Sequence, residues 1–215
     1  MSQNLLHKIE SKLFQRLGAF TFLTRHETDK LLLSLIQKVK NSGYAPEVVV
    51  GIMAGGGYPA RAVADALHSD YTSMDINHYR IKIGKFEIDE LVGVYRFARL
   101  LGYTPRVTVE RDVEEADIAH RRVLIVDDDS YSGATLETAI KAVADKNPSH
   151  LQTAVLHSHE ANPYIDFAGK LFDHETFYFM KYRFPWSKIS PYCTEFSQQE
   201  TVTRLVGKGM AAAAE

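Results

Sequence analysis

The sequence predicts an α/β protein built on an open parallel sheet flanked by helices, and three observations carry that expectation. The short runs VVVGIM, VLIV and LQTAVL are apolar and largely β-branched, without the alternation of a half-exposed strand, as strands buried on both faces are. The first two lead through small-residue turns, AGGG and SYSGAT, into the helical patterns YPARAVADAL and LETAIKAVADK. The repeated order of strand, loop and helix is the signature of crossover connections in a parallel sheet.

Element by element, Leu5, Leu6, Ile9, Leu13 and Leu17 recur at helical spacing and predict an N-terminal helical extension within residues 1–24. A second helix through DKLLLSLIQKVKNSG is started by Thr28, or by Thr24 with Glu27 as a capping box, and is ended by Gly43. VVVGIM is the first buried strand. DYTSMDINHYRIKI holds the next and VTVERD another, separated by the long, aromatic-rich connection IGKFEIDELVGVYRFARLLGYTP, a candidate mobile segment. VLIVDDD and LQTAVLHSH complete the set. The α/β core is expected over residues 25–160, followed by an aromatic-rich region at 161–192 and a low-complexity tail at 193–215.

The 215 residues, 45% of them hydrophobic, can bury one sizeable core. A formal net charge of −2 gives no overall reason to bind nucleic acid or an anionic membrane. The single cysteine, Cys193, excludes an intrachain disulfide and a paired-cysteine metal site, which fits a reducing compartment. With no signal-peptide pattern at the start and no apolar run near the ~20 residues that span a bilayer, the expectation is a soluble, cytoplasmic protein.

Chemistry is expected where ligands sit in open α/β sheets, beyond the carboxyl ends of the strands. In VLIVDDDSYSGATL, the residues Ser132, Gly133, Ala134 and Thr135 are small enough for a tight turn whose backbone N–H groups converge on an anion at a helix N-terminus, and a phosphate fits there. Asp127 and Asp128 would repel a phosphate if they faced it. They are suited to accept hydrogen bonds from neutral hydroxyls or to hold a hydrated divalent cation. The lysine of a nucleoside triphosphate loop and the G-x-G-x-x-G of a dinucleotide site are both missing.

The whole string, an apolar strand, two acids, three variable residues and then S-G-x-T, resembles the 5-phosphoribosyl-1-pyrophosphate signature of type I phosphoribosyltransferases. The resemblance implies that Asp127 and Asp128 take the ribose 2- and 3-hydroxyls, that Ser130 and the turn Tyr131 to Thr135 cradle the 5-phosphate, and that Mg2+ accompanies the donor, held by Asp127 and Asp128 through water. VVVGIMAGGGYPARAVADAL is similar to the pyrophosphate loop of the same family. Ala54, Gly55, Gly56 and Gly57 would bind the pyrophosphate there, with a cis peptide expected at Met53–Ala54 or Ala54–Gly55. The order of elements resembles in particular the compact bacterial and archaeal purine (xanthine, guanine or hypoxanthine) enzymes. It includes G-Y-x-P-E-V-V-V-G-I, His78 with Tyr79, and the late Phe184, Pro185 and Trp186. In such enzymes a small hood carries aromatic residues that stack on the base.

Several positions depart from that pattern. Tyr131 stands where purine enzymes commonly carry an aspartate general acid/base, and a tyrosine of ordinary pKa near 10 is a poor base at neutral pH. Ala54 stands where a pyrophosphate cation is usual, a charge that Lys82, Lys85, Arg96 or Arg99 of the long connection could restore. Asp129 replaces an apolar residue and is expected to face solvent or shape the turn rather than to bind metal. His157 and His159 alternate on one strand face. By resemblance His159 contacts the base, and Phe179 or Tyr182 stacks on it, while Lys181 and Ser187 replace a tryptophan and an acid of related sequences. Taken together, the expected activity is phosphoribosyl transfer from phosphoribosyl pyrophosphate to a nucleobase, a purine first, by a homodimer. Asp127, Asp128 and Tyr131 are the expected catalytic residues. The alternative is a non-catalytic regulatory protein that binds the same donor or a nucleotide.

Overall fold

The computed structural model describes residues 20–53, 55–78, 82–83, 86–87, 107–130, 133–158, 162–171, 181–187 and 190–192. In chain order the elements are β1 (Phe20–Phe22), α1 (Arg25–Asn41), β2 (Val48–Met53), α2 (Gly57–Leu67), β3 (Asp70–His78), β4 (Lys82–Ile83), β5 (Phe86–Glu87), β6 (Val107–Arg111), α3 (Glu115–Ile118), β7 (Arg122–Ser130), α4 (Ala134–Ala144), β8 (His150–Ser158), β9 (Phe167–Leu171) and β10 (Lys181–Arg183). They fall into two compact units. The larger takes the described residues of Asp29–Asn77 and Val107–Phe172, and the smaller those of Met1–Thr28, His78–Arg106 and Asp173–Phe196. The helix expected over residues 5–17 lies outside the described residues.

The larger unit is the open sheet that the sequence predicts. Its six strands run in the order β6-β3-β2-β7-β8-β9, and the pairings of β2 with β3 and β7, and of β8 with β7 and β9, are all parallel. Val48, Val50 and Ile52 of β2 point to one face with Val123 and Ile125 of β7 and Val155 of β8. There they pack against Leu136, Ala139 and Val143 of α4 and Ile118 of α3. On the opposite face α2 lies over β2 at Gly51, where an added Cβ would stand 2.8 Å from Ala60 Cβ. Both faces are therefore covered, which is why these strands read as unbroken apolar runs.

The capping box at the start of α1 is present in full. Glu27 N donates to Thr24 Oγ1 at 3.2 Å, and Thr24 N donates to Glu27 Oε2 at 2.7 Å, so two donors of the first turn are satisfied reciprocally. Leu32, Leu35, Ile36 and Val39 then form the buried stripe. Gly43, at φ +76°, follows the end of the helix.

β9 is not evident in the sequence. FAGKL is short and mixes a glycine and a lysine with its apolar residues, because it pairs at the edge of the sheet, where α1 supplies polar partners: Lys38 Nζ donates to Ala168 O at 2.6 Å and Ser34 Oγ to Gly169 O at 3.2 Å. In the smaller unit β1 and β10 pair in parallel, Phe20↔Lys181 to Phe22↔Arg183, and β4 and β5 form an antiparallel pair within the long connection. Phe184 and Trp186 stack there with ring centroids 4.8 Å apart and an interplanar angle of 4°.

Candidate functional site

The strand order reverses between β2 and β7, since β3 lies to one side of β2 and β7 to the other. The loops leaving these two strands at their carboxyl ends are therefore neighbours, at the switch point where open α/β sheets bind ligands. Their contact is close. An added Cβ on Gly56 would stand 2.7 Å from Asp127 Cα and from the Val126 carbonyl oxygen, and one on Gly55 would collide with the Asp128 carboxylate. Gly55 and Gly56, which the sequence reading assigned to an anion, are thus also required by the acidic strand end they rest on.

β7 stays extended through Ser130, so Asp127 and Asp129 share one face of the sheet and Asp128 and Ser130 the other. Asp127 is 7% exposed, and its Oδ1 accepts the N–H of Asp128 at 2.9 Å. Burial above all, followed by the charge of Asp128, holds the Asp127 carboxyl well above the usual carboxylate range, and Asp129 adds a smaller push. Two adjacent carboxylates, one of them buried, favour ligands that bring hydroxyl donors or positive charge. The Ser130 hydroxyl is buried and makes no hydrogen bond among the described residues.

The raised pKa has a consequence for stability. Asp127 binds its proton more tightly folded than unfolded, so its contribution is fully present below the unfolded value near 4 and is lost as pH rises toward the folded value. The ligand-free protein is expected to lose melting temperature across that window, and Asp127→Asn to flatten the slope. Equal slopes for the two proteins in thermal melts would contradict the assignment.

Asp129 does not face solvent. Its side chain is 14% exposed, and its Oδ1 lies 2.9 Å from Nδ1 of His157, itself 1% exposed. The register Asp129↔His157 puts both on the same face of adjacent strands. The third acid of DDD and the first histidine of VLHSH were the sequence signals for this pair, but the strand register that joins them was not readable.

α4 opens at Gly133, whose φ of +78° is the left-handed conformation that favours glycine. Neither α2 nor α4 has a hydrogen bond from its N-cap side chain, since both N-caps, Gly56 and Gly133, are glycines. Asn162 is a neighbour that sequence reasoning missed. Its Oδ1 accepts the Tyr164 N–H at 2.9 Å, and its amide nitrogen is turned against Gly133.

The structure thus brings Asp127 and Asp128 against Gly56 and Gly55, while Ser130 ends the same strand, Gly133, Ala134 and Thr135 start α4, and Gly57 starts α2. Tyr131, Ser132, Ala54, His159 and Phe179 lie outside the described residues, as do Lys85, Arg96, Arg99 and the peptide bonds expected to be cis. Tyr182 belongs to β10 of the smaller unit, paired in register with Thr21. Among the described residues no three His, Cys, Asp or Glu side chains converge as a metal cage. A cation held by Asp127 and Asp128 would therefore depend on ligand oxygens and water for the rest of its shell. That is the habit of Mg2+, so the residues present fit it.

The family model for the phosphoribosyl transferase domain matches residues 23–166, a span that contains both loops. The chain belongs to that family. Relatives of the chain include the bifunctional protein PyrR of Chloroflexus aurantiacus, 32% identical over 155 residues that cover 69% of this chain and 79% of the relative. The bifunctional protein PyrR of Pediococcus pentosaceus is 29% identical over 136 residues, 61% of this chain and 71% of that one. Among solved structures, the purine phosphoribosyltransferase of Pyrococcus horikoshii aligns with a TM-score of 0.57 at 22% identity, covering 79% of this chain and 95% of its own. A Neisseria gonorrhoeae protein with bound ppGpp aligns at 0.59 and 18%, covering 89% and 98%. At these identities the structures establish the shared type I fold. No helix among the described residues is long and apolar enough to cross a membrane.

Proposed function

We propose that this phosphoribosyltransferase domain moves the 5-phosphoribosyl group of phosphoribosyl pyrophosphate to a ring nitrogen of a nucleobase, a purine first, and releases pyrophosphate. The observation that carries the reading is the acidic end of β7, Asp127 and Asp128, packed against Gly55 and Gly56 and followed by the left-handed Gly133 that opens α4. Asp127 and Asp128 accept hydrogen bonds from the ribose hydroxyls. Ser130 and the turn from Tyr131 to Thr135 receive the 5-phosphate, and the segment Ala54–Gly57 faces the pyrophosphate. His159, Phe179 and Tyr182 are the candidates for holding the base.

In the reaction the bond between C1 and the pyrophosphate oxygen breaks as the bond from C1 to the base nitrogen forms, and the nitrogen proton passes to solvent. The chain contributes alignment and a field. The negative charge of the Asp127–Asp128 pair beside the ribose favours the developing oxocarbenium centre, and the N-terminal ends of α4 and α2 favour the 5-phosphate and the pyrophosphate. Asp127 and Asp128 would hold Mg2+ through water, and the ion would supply charge that neutralises the leaving pyrophosphate. The same proposal makes the protein a cytoplasmic homodimer.

The test is pyrophosphate release with donor and Mg2+ across adenine, guanine, hypoxanthine, xanthine, uracil and orotate, with donor binding followed in parallel. Release that depends on one purine supports the whole reading, and dependence on a pyrimidine corrects only the acceptor. A second reading, a regulatory donor- or nucleotide-binding protein without turnover, is favoured by the loop Met53–Gly57, which carries no cation. Binding without release in the whole panel would select it, and absence of binding would overturn both.

A further inference from the structure

We propose that Asp129 and His157 are a positioning pair for the ribose-phosphate loop, fixing the strand end from which Asp127 and Asp128 present their carboxylates. The inference rests on the phosphoribosyl reading of that loop. Its starting point is the register of β7. Pairing with β2 runs from Val48↔Val123 to Gly51↔Val126, whereas pairing with β8 continues through Asp127↔Val155 and Asp129↔His157 to Ser130↔Ser158. The part of β7 that carries the site is therefore held, as a strand, by β8 among the described residues. The Asp129–His157 hydrogen bond joins those two strands at that level, 2.9 Å long, with the histidine 1% exposed.

The pair also resolves a conflict in the sequence. Asp127 and Asp129 lie on one face, two residues and so ~7 Å apart along the strand, where three successive carboxylates repel one another. An ionised carboxylate can only accept, so Nδ1 of His157 donates, and the bond draws Asp129 sideways toward β8. The third acid is thereby engaged on the β8 side, and the pair Asp127 and Asp128 is left to the sugar. For stability alone, an apolar pair of similar volume would serve as well or better, because burying charged and polar groups costs desolvation. What an apolar pair lacks is direction. A hydrogen bond fixes the orientation of the strand end more narrowly than packing does, and site geometry is sensitive to shifts of a fraction of an ångström.

Ribose 5-phosphate, which lacks the pyrophosphate, is the probe for this cradle, and its binding is measured by calorimetry alongside thermal melting of each variant. Failure of the unaltered protein to bind either ribose 5-phosphate or phosphoribosyl pyrophosphate removes the functional reading, and this inference falls with it. If the unaltered protein binds, D129N, whose amide oxygen still accepts from Nδ1–H, is expected to stay within about threefold of its affinity, and D129A to lose about tenfold or more. The double variant D129L/H157L is expected to melt near the unaltered protein and still to lose about tenfold. Full affinity in a folded D129L/H157L would overturn the proposal. Should that variant fail to fold, D129A and D129N decide: equal affinities at a temperature where both are folded would also overturn it.

Discussion

Asp128→Asn is expected to lower affinity for phosphoribosyl pyrophosphate by about 10- to 100-fold, on the order of 1.5–3 kcal/mol for one charge-assisted hydrogen bond, without lowering the melting temperature. The two effects part company because of what surrounds the residue. In the ligand-free protein the Asp128 charge is, after burial, the next largest cause of the raised Asp127 pKa, so removing it relieves a repulsion inside the fold. The asparagine keeps the shape that meets Gly55. Its backbone N–H still donates to Asp127 Oδ1, since that bond does not involve the altered side chain. Calorimetric titration of donor and a thermal melt on the same preparation test both halves. Unchanged donor affinity would remove Asp128 from the ribose site, and a large fall in melting temperature would show that the carboxylate is held by contacts that stabilise the folded chain.

How far the site was legible depends on whether a residue's role is local. The strands VVVGIM and VLIVDDD, the capping box of Thr24 and Glu27, and the glycine turns could all be placed because each is decided by neighbours within a few residues. β9 could not, because FAGKL takes its polar partners from α1, more than a hundred residues earlier in the chain. The same division runs through the site. Asp127, Asp128 and Gly133 are legible as one contiguous string. The burial of Asp129 depends on a histidine 28 residues away, and Asn162 reaches Gly133 only because β8 returns beside β7. Local signals located both loops, but only the strand order placed them against each other.

Gly56→Ala tests that juxtaposition, with a loss of about 1–3 kcal/mol of stability and on the order of 100-fold in donor affinity as the expected result. The added Cβ would stand 2.7 Å from Asp127 Cα and from Val126 O. Both are backbone atoms of a central strand, paired on the β8 side through Val126↔Ala154 and Asp127↔Val155, and cannot yield as the end of a flexible side chain would. The loop and the first turn of α2 must move instead, and they carry Gly55 away from Asp128. Gly43→Ala is the matched control. Gly43 has φ +76° and open space around its Cβ position, so that variant carries the conformational cost alone, about 1–2 kcal/mol, and is expected to bind donor as the unaltered protein does. If both alanine variants lose stability and only Gly56→Ala loses affinity, the effect belongs to the contact between the two loops. Equal affinities in the two variants would mean that the ribose-phosphate site tolerates displacement of the β2 loop, and the pyrophosphate role of Gly55–Gly57 would have to be withdrawn.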